Sequence, residues 1–194
     1  MPRKHRTLVD GGIYHVISRG HNRCRLFHSS KDYGVYKELL RKYKARFPFE
    51  LFHYCLMPNH IHLLFRITKS TELPRLMQGL NQSYAKHYKR IYGLVGNLYQ
   101  GRYQGLIIDK DDYLLECGRY IERNSLRAGL VKDLSKYPFC SFNFYANGKK
   151  DGLITMDPLY KELSPDPIKR MEEYRNYVLE ERPYEHIVDE GLKV

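Results

Sequence analysis

No stretch of this sequence approaches the roughly 20 consecutive apolar residues that a membrane-spanning helix needs. The first residues, Met-Pro-Arg-Lys-His-Arg, lack the apolar core of a secretion signal, and internal repeats and low-complexity tracts are missing too. The four cysteines are scattered without a Cys-x-x-Cys pair, which favours free thiols in a reducing compartment over a disulfide framework. We therefore expect a cytoplasmic protein with no membrane contacts.

What the chain does have is a large excess of positive charge, +11 over 194 residues, with a pI near 9.4. Residues 161–194 hold six Lys and Arg against nine Asp and Glu, a net charge of −3, so residues 1–160 carry +14. A basic body of this kind favours a polyanionic partner, nucleic acid first and an acidic membrane surface as the alternative. No strongly basic amphipathic helix stands out, which weakens the membrane alternative.

The hydrophobic pattern predicts the element order β-α-β-β-α-β-α, and 42% hydrophobic residues are enough for one packed core. Strands are predicted at 13–18, 49–56, 60–67 and 106–108, and helices at about 29–47, 72–91, 111–124 and 168–182. Residues 125–160 are predicted to be mostly loop, with a packed segment at 137–141. This order is typical of an α+β sandwich of ferredoxin-like character, with a mainly antiparallel central sheet flanked by helices.

The stretch Ser164-Pro-Asp-Pro167 breaks the chain before its last predicted helix. We therefore expect residues 1–160 to form the main domain, preceded by a basic arm at 1–10, and residues 161–194 to form an acidic helix and tail.

The most informative stretch lies at the head of the third predicted strand, where His60 and His62 are two residues apart. Side chains at i and i+2 of a strand project from one face, so both imidazoles could hold one metal ion. The intervening apolar positions point to the opposite face and predict a core; they are Ile61, Leu63, Phe65 and Ile67. With nine histidines in the chain, an accidental pairing stays open, and two ligands do not complete a site.

The third predicted helix places Tyr120 and Asn124 four residues apart, on one face. A tyrosine hydroxyl can be a covalent nucleophile, but with a reference pKa near 10 it needs an activated electrophile. A divalent ion on two histidines would activate a phosphodiester, with the Asn124 amide oxygen as a candidate third ligand. Among 18 tyrosines such a pair is equally consistent with packing. His15, on the first strand, is expected to be a structural or supporting residue near the metal.

Four segments together carry a family resemblance, in the order Met57-Pro-Asn-His-Ile-His-Leu-Leu64, Tyr99-Gln-Gly-Arg-Tyr103, Arg119-Tyr-Ile-Glu-Arg-Asn-Ser-Leu-Arg-Ala-Gly-Leu-Val131 and Tyr137-Pro-Phe-Cys-Ser141. From about Gly11 to Phe144 the chain resembles the single-tyrosine HUH transposases, and among them the REP-associated tyrosine transposases. The combination of the four segments is much more specific than any one of them.

The resemblance implies the HUH endonuclease fold, with His60 and His62 as metal ligands, Tyr120 as nucleophile and Asn124 as the polar metal ligand. It implies metal-dependent cleavage of single-stranded DNA near imperfect hairpins, strand transfer through a 5′-phosphotyrosine, and Mg²⁺ or Mn²⁺ as cofactor. Relatives act as monomers or homodimers, and the expected location is the bacterial cytoplasm, in association with the nucleoid. Two positions depart from the family pattern: Arg123 replaces an apolar residue and Ser125 replaces proline. Arg123 would either change the helix face or add a phosphate contact.

Basic residues supply the candidate DNA contacts, each with a solvated surface charge as the alternative. They are Arg3, Lys4 and Arg6 in the arm, Arg19, Arg23 and Arg25 after the first strand, Lys86, Lys89 and Arg90 on the second helix, and Arg102 and Arg127 near the site. Tyr99 and Tyr103 are candidates for base stacking.

Two other functions stay open at this point. The chain could be a non-catalytic protein that binds hairpin DNA. It could also be a zinc-site structural protein, because His53 and Cys55 on the partner strand could complete a four-ligand set with His60 and His62.

Overall fold

The two histidines lie in a four-stranded antiparallel sheet whose strand order is β2-β3-β1-β4. The computed structural model describes residues 8–108 and 112–182, and within these the strands are β1 Ile13–Arg19, β2 Phe49–Met57, β3 His60–Ile67 and β4 Gln104–Ile108. The first strand lies in the middle because helices connect β1 to β2 and β3 to β4 across one face. This confirms the predicted sandwich of ferredoxin-like character.

Helices cover both faces of the sheet. Tyr36 of α1 (Ser30–Arg46) and Leu80 of α2 (Glu72–Tyr92) share a core with Val16 and Leu63. On the opposite face, Leu114 of α3 (Asp112–Arg127) and Tyr174 share a second core with Ile13. The described helices are α1 Ser30–Arg46, α2 Glu72–Tyr92, α3 Asp112–Arg127, α4 Phe142–Asn147, α5 Pro158–Leu163 and α6 Pro167–Leu179.

Residues 125–160 are mostly loop, as predicted, but the prediction missed α4 and the first half of α5, which lie there. Each has six residues, too few to show the helical repeat of apolar positions. A start signal for α5 was nevertheless present: the Asp157 carboxylate accepts a hydrogen bond from the Leu159 amide, and Pro158 occupies the first helical turn.

Strand β3 alternates as predicted. Ile61, Leu63, Phe65 and Ile67 are buried in the core beneath α1 and α2. The residues between them, His62 and Leu64 included, face the layer that contains α3. Because the strand is buried on both faces, the face that carries His62 is also closed to bulk water.

The packed segment predicted at 137–141 is confirmed and lies along the outer edge of β2. The Leu56 amide donates to the Phe139 carbonyl at 2.9 Å, and the Ser141 amide donates to the Tyr54 carbonyl at 3.0 Å. The Tyr137 hydroxyl also donates to the Leu56 carbonyl at 2.7 Å. These bonds use backbone groups that an edge strand would otherwise leave unpaired.

Several expectations fall outside the described residues: the arm residues Arg3, Lys4 and Arg6, and the tail from 183 onward. All four cysteines are free thiols. Within the described ranges, no helix has both the length and the apolar character to span a membrane.

Candidate active site

His60 and His62 lie where β3 begins, directly after the turn at 58–59, with ring centroids 4.8 Å apart. His62 is 4% exposed and His60 is half-buried. The Nδ1 atom of His60 is 2.7 Å from Oδ1 of Asn59. Since an amide oxygen only accepts, this Nδ1 donates and the Nε2 of His60 keeps its lone pair.

His15 of β1 completes a cluster of three imidazoles. It lies opposite Leu64 in the β1–β3 register and therefore on the face that carries His62. Its Nε2 is 2.9 Å from the Nδ1 of His62. Within the described part of the chain, Nε2 of His62 and Nδ1 of His15 are buried without a hydrogen-bond partner. When His62 donates through Nδ1, its buried Nε2 presents a lone pair, the arrangement that suits a metal ligand.

The protonation of the cluster follows from its burial. Burial lowers the pKa of His15 to about 3. Burial, with the nearby Arg19 guanidinium, lowers the pKa of His60 to about 4. Burial also holds the pKa of His62 well below its usual value. The three imidazoles are thus neutral near pH 7, the form in which histidine binds metals.

Tyr120 approaches the same cluster from α3, which packs across β2 and β3. Its ring centroid is 6.1 Å from that of His15 and 6.2 Å from that of His62, in edge-on arrangements. The Arg127 guanidinium carbon lies 5.1 Å from the centroid of the Tyr120 ring. Burial raises the pKa of the phenol and Arg127 opposes that rise, so the hydroxyl is protonated at neutral pH beside a cation suited to a phenolate.

Asn124 lies one turn beyond Tyr120. Its amide nitrogen donates to the Tyr120 carbonyl at 2.9 Å and to the Ile121 carbonyl at 3.3 Å. These bonds turn the side-chain oxygen away from the helix backbone. Among the described residues no three His, Cys, Asp or Glu side chains are grouped to hold a metal ion. A third protein ligand in this part of the chain would therefore be of another type, such as the Asn124 amide oxygen.

Comparison with protein families finds a match over residues 9–124 to the model described as Transposase IS200 like. The match spans β1 to α3 and includes His15, His60, His62, Tyr120 and Asn124. The chain belongs to the IS200-like transposases. It is therefore an enzyme of DNA transposition.

Among solved structures, the transposase resembles a REP-associated tyrosine transposase bound to a REP hairpin, at 22% identity and a TM-score of 0.62. The likeness covers 81% of this chain and 90% of the other and shows a shared fold. A candidate transposase from Deinococcus radiodurans is 23% identical with a TM-score of 0.44, over 63% of this chain and 97% of the other. No curated protein matches the chain significantly.

In the transposase, α3 is held to the sheet by a buried charged network around His53 of β2. His53 Nδ1 lies 3.0 Å from Glu122 Oε1, and Nε2 lies 3.0 Å from Asp157 Oδ2. Burial lowers the pKa of His53, but the hydrogen bonds and charges of Asp157 and Glu122 outweigh it and raise the pKa to about 9. Gly118 permits this contact, because a Cβ there would stand 2.6 Å from Nε2 of His53.

The same network removes the zinc-site alternative. Both ring nitrogens of His53 are hydrogen bonded to carboxylates, so this side chain cannot complete a four-ligand set with His60 and His62. Cys55 lies opposite His62 in the register, but its thiol donates to the Met57 sulfur and burial raises its pKa well above the usual value. A buried protonated thiol is a poor zinc ligand.

Arg123, which departs from the family pattern, makes a structural contact. It is 4% exposed, and its guanidinium donates to the Val178 carbonyl at 2.8 Å. Arg119 donates likewise to the Tyr177 carbonyl at 3.0 Å and to the Glu180 carbonyl. Two arginines of α3 thus bind the carbonyl end of α6, and the phosphate contact considered for Arg123 is wrong. No local sequence pattern indicates this contact, because the contacting residues are 55 to 61 positions apart.

The predicted DNA-binding residues fall into separate groups. Arg19 pairs with His60 in the register, and Arg127 lies over Tyr120, so both border the candidate site. Exposed side chains elsewhere are Arg23 and Arg25 after β1, Lys86, Lys89 and Arg90 on α2, and Arg102 before β4. Tyr103, expected to stack on bases, is instead buried in the core beneath α2.

Proposed function

We propose that this transposase cleaves single-stranded DNA at hairpin-bearing sites and transfers the strand through a covalent bond to Tyr120. One observation carries the proposal: the Tyr120 phenol lies against the His15 and His62 imidazoles of its own chain. Residues 1–160 would form the catalytic region and 161–194 an acidic appendage, in a monomer or homodimer.

His60 and His62, with the Asn124 amide oxygen, would hold a divalent cation, Mg²⁺ or Mn²⁺. The cation, when bound, would draw charge from a phosphodiester oxygen. The donor set supports this: two neutral imidazoles keep lone pairs on Nε2, and one of these is buried without a partner among the described residues. Oxygen ligands suit Mg²⁺, whereas two imidazoles also suit Mn²⁺.

In the proposed step the Tyr120 oxygen attacks phosphorus and loses its proton. A tyrosine–phosphate bond forms at the 5′ side, and the bond to the 3′ oxygen breaks to give a free 3′-hydroxyl. Arg127, beside the ring, stabilises the negative charge that develops on the phenol oxygen. The phosphotyrosine conserves the bond energy, so a 3′-hydroxyl can reverse the step without a nucleotide cofactor.

The DNA partner is supported by the charge of +14 on residues 1–160 and by two arginines at the site, Arg19 and Arg127. Hairpin recognition is supported by the structural neighbour that was solved with a REP hairpin. A protein that only binds such hairpins would share these features, so covalent chemistry at Tyr120 separates the two functions.

The decisive experiment incubates the protein and Mn²⁺ with a pool of single-stranded hairpin oligonucleotides that carry randomised flanks. We expect a covalent protein–DNA adduct on a denaturing gel, its loss in Tyr120→Phe, and unchanged DNA binding by that variant. The matched control is Tyr113→Phe, a 58% exposed tyrosine on the same helix, which should leave the adduct intact. An undiminished adduct in Tyr120→Phe would refute the nucleophile. Binding without cleavage under every divalent metal would establish the non-catalytic function.

A further inference from the structure

A groove outside the candidate active site has a volume of about 560 Å³ and lies between α2 and the loop at 96–103. This volume is within the range of pockets that enclose small ligands, about 300–1,000 Å³. Because α2 packs on the sheet face opposite α3, the groove and the imidazole cluster lie on different sides of the sheet. The proposed reaction does not use it.

The lining of the groove is rich in hydrogen-bonding and positively charged side chains. Four side-chain amides line it, Gln78, Asn81, Gln82 and Asn97, together with the cations Lys89 and Arg102. No Asp or Glu is among its described lining residues. Asn81 donates to the Ser18 hydroxyl at 3.1 Å, while its Oδ1 atom is buried without a partner in the described part of the chain. Side-chain amides pair with base edges, and cations pair with phosphates.

The groove and the candidate active site meet at the end of β1. Ser18, which binds Asn81, directly precedes Arg19, which lies opposite His60 in the register. The Gln100 amide donates to the Arg19 carbonyl at 2.9 Å, and Gly20 forms a bridge with Tyr99 of the groove wall. A DNA strand bound at the imidazole cluster would therefore need only to pass around the end of β1 to reach the groove, and would not cross the core.

We propose that this groove, called here the α2 groove, binds one or two unpaired nucleotides of the single-stranded DNA that extends from the candidate active site. The exposed amides of Gln78 and Gln82 contact base edges, and Lys89 and Arg102 contact the sugar–phosphate backbone. The proposal rests on the proposed function for its substrate class, but it concerns binding and requires no chemistry at Tyr120.

The test measures fluorescence anisotropy of a labelled oligonucleotide, dT12, with the Tyr120→Phe protein and no added metal, so that cleavage plays no part. Gln78→Ala/Gln82→Ala and Lys89→Ala should each weaken binding at least about fivefold, because the first variant loses hydrogen bonds to base edges and the second loses a contact to the backbone. Arg75→Ala is the matched control: it removes another exposed cation of α2 that does not line the groove, and should change affinity less than about twofold.

An abasic oligonucleotide of the same length distinguishes base recognition from phosphate binding. The double glutamine variant should bind it as well as the parent protein does, because the amides then have no base to contact. Equal losses of the double glutamine variant on the two probes, equal losses for Arg75→Ala and Lys89→Ala, or unchanged affinity in all variants would each overturn the proposal. These outcomes do not depend on the covalent adduct, so failure of the nucleophile and failure of the groove are told apart.

Discussion

At the scale of single residues, His53 explains how a buried histidine can be charged beside a cluster of neutral ones. His15 and His62 neighbour one another, and burial is the largest cause that lowers the pKa of each. His53 instead lies between the carboxylates of Glu122 and Asp157, which raise its pKa. The carboxylates are satisfied further: Ser141 and Tyr174 donate to Glu122 at 2.6 and 2.8 Å. The buried His53 is therefore protonated and the buried His15 and His62 are neutral, because of these three only His53 has carboxylates beside it in the described part of the chain.

This arrangement predicts the pH dependence of stability. Because the folded pKa of His53, about 9, exceeds the unfolded value of 6.5, its contribution is complete below pH 6.5 and is lost as pH rises through 9. The free energy of unfolding, measured by urea denaturation, should therefore fall between about pH 6.5 and about pH 9. Tyr145 and Tyr174, which face the ring, do not interfere, because their pKa values lie well above 10.

The His53→Gln variant should lose this decline and be destabilised near neutral pH by about 3–5 kcal/mol, since two carboxylates are left without a buried cation. His21→Gln, a substitution of an exposed histidine, should retain both the decline and the stability. A decline of the same size in His53→Gln would contradict the assignment of the pH dependence to this residue.

At the scale of elements, α3 is the helix on which the candidate site depends, and it is fixed from two sides. Glu122 binds it to His53 of β2, and Arg119 and Arg123 bind it to the last carbonyls of α6. The side that carries Tyr120 and Asn124 therefore stays oriented toward the imidazole cluster. Helix α6, which sequence reasoning left without a role, supports α3 through these bonds and through the shared core.

Replacing Arg123 with methionine tests this support. Methionine is an unbranched, apolar side chain of comparable length, but it cannot make the hydrogen bond to the Val178 carbonyl. A hydrogen bond from a charged group contributes about 1.5–3 kcal/mol to stability. We expect a loss of that size in the free energy of unfolding, measured by urea denaturation. Lys169→Met on α6, with a side chain 68% exposed, should cost less than about 1 kcal/mol. Equal effects of the two substitutions would argue against the contact.

At the scale of the whole molecule, charge is separated along the chain, with +14 on residues 1–160 and −3 on 161–194. Exposed cations occur on several surfaces, at Arg23, Lys86 and Arg102, as well as beside the imidazole cluster at Arg19 and Arg127. In the proposed function, this charge would attract a DNA strand over a broad surface, and the candidate site and the α2 groove would then select its position.

Binding of single-stranded DNA should consequently weaken steeply with salt. Each phosphate that is neutralised contributes about −0.7 to the slope of log K against log salt concentration. A titration of dT12 binding by anisotropy at increasing NaCl should give a clearly negative slope. The matched probe is a peptide nucleic acid of the same length, whose uncharged backbone should give a slope near zero. Equal slopes for the two probes would contradict a phosphate-based attraction.

The sequence by itself determined the order of the elements, the sheet and the His60 and His62 face of β3, because strand and helix periodicity act over a few residues. It also brought Tyr120 and Asn124 to one side of α3 through helical spacing alone. It did not predict the short helices α4 and α5, because six residues each show too little periodicity.

Only the tertiary structure decided which distant groups meet. It paired His15 with His62, enclosed His53 between Glu122 and Asp157, and turned Arg123 toward α6. These contacts join residues 47 to 104 positions apart. No local pattern encodes them, because they follow from the packing of helices on the two faces of the sheet. The protonation of each histidine follows in turn, because burial and neighbouring charges exist only in the folded chain.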